Sequence, residues 1–416
     1  MRVALVSPKD SFLDSAGDRP YLGNLYLAGY ARKHTDAEIG IFDLNHDTLY
    51  DVINFGPDVV GIGFTTPHYH GVVQIAKSLR SSLKDSARII AGGAHPTAVD
   101  PYQLLKDKLF DQVVQGEGEI ALTKIINGDR SPVLNEPYIR DIDTIPMPAW
   151  DLIDMSRYTM DWDGNKATTL FSSRGCTFCC SFCSKDIWGR TFRSHSPERV
   201  VDEMDFLFKN YGISNFYFYD DTFTIDRKRV YGMIDELQRR GRNYRWKIIT
   251  RADTVQPELL HDMYVAGYKE VSYGIEHGDN DSLDRINKGM TVQQNVDAVR
   301  WAQEAGMKVK GFFIIGLPGD TPEKIKDTVQ LAKDLNLDHA LFSVMMPYPG
   351  TDMYLHPEKY GIKLDPSIQY GDWLQYAGYN TANYPTTVMD IGTMPRKRVE
   401  KMAVWAKSEW ERFKHG

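Results

Sequence analysis

Ser173-Arg174-Gly175-Cys176-Thr177-Phe178-Cys179-Cys180-Ser181-Phe182-Cys183 holds every cysteine of this 416-residue chain. Within it, Cys176, Cys180 and Cys183 have the spacing CxxxCxxC, with the aromatic Phe182 just ahead of the last. Three thiolates on one short loop can hold three irons of a cubane. The fourth iron is then open to a substrate or cofactor, whereas electron-transfer clusters are closed by four cysteines. A structural zinc site asks for four soft ligands in tetrahedral array, usually as two well separated cysteine pairs. Here Cys176/Cys179 and Cys180/Cys183 stand back to back on one loop, and the bacterial ferredoxin run would need a cysteine at Phe182. Nothing marks secretion, so a disulfide framework is disfavoured. The spacing predicts an open 4Fe–4S site on Cys176, Cys180 and Cys183, with Cys179 a spare thiol and zinc the alternative.

On the C-terminal side of the cysteines, strand and helix patterns alternate. Strands are predicted at 168–172, 216–219, 246–250, 270–275, 308–315 and 340–344, and helices at 197–210, 227–239, 257–266, 292–305 and 322–335. These make six βα-type units, fewer than the eight of a closed barrel. In such arrays active residues sit at the strand C-termini. Those ends carry Asp220 and Asp221, Arg251, Gly274-Ile275-Glu276-His277-Gly278, and Ile314-Ile315-Gly316-Leu317-Pro318-Gly319-Asp320. Asp226 caps the helix that follows, so capping does not account for Asp220 and Asp221. One of that pair, Asp221 preferred, is a candidate ligand contact. Arg251 suits a bidentate grip on a carboxylate, with an ion pair to Asp253 as the plain alternative.

On the N-terminal side, residues 1–127 read as strands at 2–6, 38–42, 59–64, 88–91 and 112–114, with helices at 22–33, 71–83 and 119–126. That alternation predicts a doubly wound parallel sheet, flavodoxin-like, with its ligand edge beyond the strand C-termini. The edge carries Thr65, Thr66, His68, His70, Gly92, Gly93, His95, Gly116, Glu117, Gly118 and Glu119. The glycines admit a large flat ligand or merely turn strand into helix. Residues 128–165, with Ile145-Pro146-Met147-Pro148-Ala149-Trp150, read as a linker, and 356–416 as a C-terminal extension. The extension holds Tyr370, Trp373, Tyr376, Tyr379 and Tyr384 and ends in an amphipathic helix near 396–413. Packing over the open end of the strand array is the expected role of those aromatics.

The cysteine stretch resembles the radical S-adenosylmethionine (SAM) superfamily. That resemblance implies a partial (β/α)6 barrel at 166–355, TIM-type, whose open iron chelates SAM. One electron then cleaves SAM to methionine and a 5′-deoxyadenosyl radical. It implies Phe182 beside the adenine, Asp221 and Arg251 on SAM, Glu276 on the ribose or the ammonium, and Gly316 near the adenine. His277 stands where the family has Ser, and Asp320 where it usually has Glu. The N-terminal order Pro20-Tyr21-Leu22-Gly23-Asn24, Gly61-Ile62-Gly63-Phe64-Thr65, Gly92-Gly93-Ala94-His95-Pro96 and Gly116-Glu117-Gly118-Glu119 is similar to the cobalamin-binding domain fused to many of these enzymes. It implies cobalamin contacts by Thr65 or Thr66, by Gly92 and Gly93, and at the edge formed by His95, Gly116, Glu117 and Gly118. The loop after the first strand offers Asp10, Asp14 and Asp18 but no histidine, so the DxHxxG motif that ligates cobalt from below is missing.

The expected function is therefore radical SAM chemistry, with cobalamin-dependent methylation of an unactivated carbon in a small molecule foremost. Cyclisation, dehydration or rearrangement without methyl transfer is the runner-up, and a non-catalytic metal- or cobalamin-binding module a third reading. A flavodoxin- or ferredoxin-type donor would supply the electron. The net charge of −7 gives no support for a nucleic-acid partner. The longest apolar run, 312–317, is too short to span a bilayer. Cytoplasm is the expected compartment for an oxygen-sensitive cluster.

Overall fold

The computed structural model describes residues 1–10, 16–370, 373, 375, 376 and 385–416. Asp14, Tyr379 and Tyr384 lie outside the described residues. Two compact units form, Met1–Asp161 with Lys185–Gly189, and Trp162–Ser184 with Arg190–Gly416.

The first unit is built on β1 (Arg2–Ser7), β2 (Glu38–Asp43), β3 (Val59–Gly63), β4 (Arg88–Gly92), β5 (Gln112–Gln115) and β6 (Val133–Asn135). They form one parallel sheet in the order β2-β1-β3-β4-β5-β6. Val3, Ala4, Leu5 and Val6 are all buried, as a strand covered by helices on both faces requires. Its helices include Leu22–His34, Tyr69–Leu83 and Gly118–Ile126. The sixth strand comes from the stretch read as a linker. Its three residues are too few to leave a periodic signal, and register with Val113–Gln115 defines them. The chain reverses its direction across the sheet between β1 and β3, which makes that gap the ligand-binding switch point of an open α/β sheet.

The second unit carries β7 (Asp161–Trp162), β8 (Asn165–Leu170), β9 (Ser173–Arg174), β10 (Arg193–Ser194), β11 (Asn215–Phe218), β12 (Arg245–Thr250), β13 (Tyr268–Glu276), β14 (Lys308–Ile315) and β15 (His339–Val344). Sheet order is β15-β14-β13-β12-β11-β8-β7. The six strands from β8 to β15 are mutually parallel, with a helix between successive members. This is the expected partial barrel. Along β12, buried Trp246, Ile248 and Thr250 alternate with half-buried Arg245, Lys247 and Ile249, the period-2 signature of a strand with two unlike faces. Helices Pro197–Tyr211, Arg227–Arg239, Val292–Glu304 and Pro322–Asp334 begin at Ser196, Asp226, Thr291 and Thr321, whose side chains each accept a backbone N–H. The antiparallel pair β9/β10 ties together the two ends of the cysteine segment.

The C-terminal extension adds the antiparallel pair β16 (Ile362–Leu364) and β17 (Met389–Ile391) and the helix Arg396–His415. Val399, Met402, Ala403 and Ala406 of that helix join Ile315, Leu317 and Val344 in one apolar cluster. Tyr376 is fully buried and donates to Pro347 O at 2.8 Å, a packing role. Among the described residues, no helix is long and apolar enough to cross a membrane.

Candidate functional site

The cysteine loop leaves the C-terminal end of β8, the face where a barrel of parallel strands presents its reactive residues. Cys176 and Cys180 are buried, Cys183 is partly so, and Cys179 is exposed. Cys176 Sγ lies 3.4 Å from Thr222 Oγ1, and Arg251 Nη1 donates to Cys180 Sγ at 3.4 Å. Thr222 donates its hydroxyl proton to Asp221 O at 2.8 Å, so the cation of Arg251 on Cys180 is the group here that suits a thiolate, the form in which cysteine binds iron. Among the described residues, no three His, Cys, Asp or Glu side chains converge on one metal ion. A cubane asks for less convergence, since each thiolate holds a different iron. Phe182 is half-buried against the apolar cluster of β14 and the last helix.

Asp220 and Asp221 divide in role. Asp220 is buried and accepts from Ser172 N at 2.7 Å, Ser172 Oγ at 2.5 Å and Ser173 Oγ at 2.6 Å, with Arg229 Nη2 at 3.7 Å. Its carboxylate pins the start of the cysteine segment to β11, each charged hydrogen bond contributing about 1.5–3 kcal/mol. Asp221 is only half-buried.

Of the two roles the sequence offers Arg251, a clamp on a ligand carboxylate or an ion pair to Asp253, its fork makes the second. Nε lies 2.9 Å from Oδ1 and Nη2 lies 2.7 Å from Oδ2, while Nη2 also donates to Lys288 O at 2.7 Å. Burial alone pulls its pKa down. Asp253 and the charges of Cys180 and Cys176 more than reverse this, so the guanidinium stays above its ordinary value. Glu276 ends β13 with a left-handed backbone, φ +63°, where the register to β14 shifts. Such outliers concentrate at functional positions. Its Oε1 accepts from Lys288 Nζ at 2.7 Å, with both side chains under 10% exposed. Gly274 leaves room for that pair, since a Cβ there would stand 2.5 Å from Glu276 Oε1 and 2.9 Å from Lys288 Nζ.

Gly316 has φ +89°, and a Cβ on it would meet Val399 Cγ1 at 2.3 Å. In the direction of that Cβ the glycine faces the last helix. Asp320 Oδ2 accepts from Gly316 N and Leu317 N, and its Oδ1 lies 3.0 Å from His277 Nε2. His277 and Asp320 are thus fully buried supports of the turn.

In the first unit, the edge beyond β1, β2 and β3 opens a cavity of about 390 Å³, bordered by Pro8, Lys9, Asp47, Pro67 and His68 among others. It sits at the switch point, and its size suits part of a large ligand. His68 Nε2 donates to Asp10 Oδ1 at 2.7 Å and its Nδ1 lies 2.8 Å from Thr65 Oγ1. Tyr21 OH donates to Asp10 Oδ2 at 2.5 Å, and burial together with Asp10 pushes its pKa up. Thr65 is exposed and Thr66 buried, 3.1 Å from His95 Nδ1. His95 corrects an expectation. It is 0% exposed, packed on Phe64 and Tyr69, and burial lowers its pKa to about 3, so it is a neutral core residue and not a ligand-edge group. Gly93 and Gly118 are close-approach positions, where a Cβ would stand 2.8 Å from Phe64 N and 2.9 Å from Leu27 Cδ2. Gly92 is half-buried with only Val114 nearby, and Gly116 has φ +74° with its N–H on Thr97 Oγ1. Glu117 is buried and accepts from Ile139 N at 3.0 Å, serving the chain's own backbone.

Sequence reasoning missed Lys288, Thr222 and Asn287. The last donates to Cys179 O at 2.9 Å. The sequence does offer Asp253 as the ion-pair partner of Arg251, which is the contact that forms.

A doubly wound sheet with a switch-point cavity, joined to a half-barrel presenting three cysteines, defines an enzyme class that pairs a corrinoid-type domain with iron–sulfur radical chemistry. Residues 170–332 match the Radical SAM superfamily model, and residues 9–126 the B12 binding domain. The chain is similar to an uncharacterized methyltransferase of Pyrococcus horikoshii, 33% identical over 359 residues, covering 80% of this chain and 78% of the relative. It is also similar to the anaerobic magnesium-protoporphyrin IX monomethyl ester cyclase of Rubrivivax gelatinosus, 28% identical, over 95% of this chain and 75% of that one. In fold it is like the radical SAM methyltransferase TsrM from Kitasatospora setae, solved with cobalamin and a [4Fe-4S] cluster bound, at TM-score 0.71 and 18% identity over 88% of this chain and 80% of that one. The chain belongs to the radical SAM family that carries a B12-binding domain, whose cofactors are a 4Fe–4S cluster, SAM and cobalamin.

Proposed function

We propose that this enzyme methylates an unactivated carbon of a small molecule. The observation that carries the reading is the inward pair Cys176 and Cys180, flanked by Thr222 and Arg251, while Cys179 faces solvent. Together the bound cofactors supply a single electron, a hydrogen-abstracting carbon radical and a transferable methyl group. Cys176, Cys180 and Cys183 hold the cluster. Phe182 borders the adenine, and Asp221 and Glu276 accept from SAM's ammonium or ribose, Glu276 through Oε2 because Lys288 holds Oε1. Thr65, Thr66, Gly92, Gly93, Gly116 and Gly118 form the cobalamin-facing edge. The buried environment of the barrel mouth orients the substrate and excludes water. A flavodoxin- or ferredoxin-type protein delivers the electron, and cytoplasm is the compartment.

The cyclase relative, which spans 95% of this chain, favours one second reading, radical ring closure without methyl transfer. Anaerobic reconstitution with iron, sulfide and cobalamin, then dithionite and SAM over candidate substrates, separates the two. 5′-Deoxyadenosine together with S-adenosylhomocysteine supports methylation. 5′-Deoxyadenosine alone supports the second reading, and no SAM cleavage by cluster-loaded protein refutes both.

A further inference from the structure

We propose that Arg251 is a cluster-tuning residue, a fixed cation whose Nη1–H bonds to the Cys180 sulfur and raises the reduction potential of the cluster. The inference rests on the reading of Cys176, Cys180 and Cys183 as cluster ligands. Of the five N–H groups of a guanidinium, four are engaged by described residues, two by Asp253, one by Lys288 O and one by Cys180 Sγ. The guanidinium carbon also lies 3.8 Å from the ring centroid of Phe178, inside the cysteine loop. The group therefore has no rotamer to exchange. Being charged at any working pH, it is a constant source of positive potential beside one sulfur.

The same neighbourhood holds the loop that carries the sulfur. Ser181 N donates to Ile286 O and Asn287 Nδ2 donates to Cys179 O, both at 2.9 Å, and Lys288 O returns the contact to Arg251. The segment 286–288 thus fixes the backbone on both sides of Cys180 and the cation on its sulfur. Hydrogen bonds to cluster sulfurs and nearby charge set the potential of such centres. Reduction adds negative charge, so a cation and an N–H···S bond stabilise the reduced state more than the oxidised one. One Nη1–H is left over, too little for a bidentate carboxylate clamp.

The test compares wild type, Arg251→Gln, Arg251→Lys and Asp253→Asn, reconstituted anaerobically without SAM. Iron content is measured first, then the midpoint potential by EPR-monitored titration, and SAM affinity separately. The expected result is full cluster loading with a lowered midpoint in Arg251→Gln. At the wild-type midpoint its reduced-to-oxidised ratio should fall about tenfold, a shift of about 59 mV for one electron. Asp253→Asn keeps the guanidinium but removes the carboxylate that offsets it, so its midpoint should rise, while Arg251→Lys should lie between wild type and Arg251→Gln. In wild-type protein labelled with ¹⁵N-arginine, pulsed EPR of the reduced cluster should detect a nitrogen coupling that Arg251→Lys loses. This second readout decides the matter if Arg251→Gln fails to assemble. An unmoved midpoint in a loaded Arg251→Gln, or the absence of the coupling in wild type, overturns the proposal. Weakened SAM binding at an unmoved midpoint would return Arg251 to the carboxylate-clamp role. Absence of a cluster from wild type would instead sink the underlying reading of the cysteines.

Discussion

Lys288→Met leaves the Glu276 carboxylate in a pocket where it is 9% exposed, with its partner at 2.7 Å removed. Breaking a buried pair from one side costs about 3–5 kcal/mol, because the remaining charge keeps its desolvation penalty. The change preserves the Lys288 carbonyl and hence its bond from Arg251, so the loss reports the ion pair itself. For a unit of this size about 3 kcal/mol corresponds to a fall of roughly 6–12 °C in Tm. Glu276→Gln paired with Lys288→Met removes both charges and should recover most of the loss, an interaction energy of about 2 kcal/mol in a double-mutant cycle. Urea and thermal unfolding at matched cluster content measure it. If Lys288→Met lies within about 1 kcal/mol of wild type, or the double variant is no better than the single, the pair is not the buried structural contact argued above.

Three further outcomes follow from the geometry. Cys176→Ala, Cys180→Ala or Cys183→Ala should abolish both iron retention and 5′-deoxyadenosine formation, while Cys179→Ala keeps both, as iron analysis and chromatography would read. The His95 ring, held near pKa 3 by burial against an ordinary 6.5, refuses a proton that the unfolded chain accepts. Stability of the first unit should therefore fall as pH drops from 6.5 toward 3, by about 2 kcal/mol between 6.5 and 5, and His95→Gln should flatten that slope in unfolding curves. Gly316→Ala places a methyl 2.3 Å from Val399 Cγ1, which costs about 1–3 kcal/mol by overpacking. Adding Val399→Ala should restore part of the lost Tm; no recovery would mean that the left-handed backbone and not the contact sets the cost.

Long elements were legible because their apolar period is unambiguous. Strand 308–315 and helix 227–239 coincide with β14 and with Arg227–Arg239, and most other boundaries differ by one to three residues. What escaped was short. β6, β7 and the helices Leu49–Asn54 and Asn280–Arg285 span at most two turns or three paired residues and owe their form to neighbours. The cysteines were legible because spacing on one loop is local information. Lys288 and Asn287 were not, because their partners Glu276 and Cys179 reach them only through the folded mouth of the barrel. Glycines are legible only in part: a bare Cα marks a close approach, but sequence does not say whether a ligand or a neighbouring helix makes it. At Gly316 it is Val399.

The five residues Lys185–Gly189 fold with the first unit although they lie between the last cysteine and the rest of the half-barrel. Gly189 approaches Tyr138, and the carbonyl of Ile187 lies near Gly116. Dividing the gene at residue 161 would thus yield no two self-sufficient halves, because the upstream product would lack a segment encoded downstream. Mixing separately expressed fragments is correspondingly a poor route to the working protein, and a permuted chain that keeps 161–190 whole is the better one.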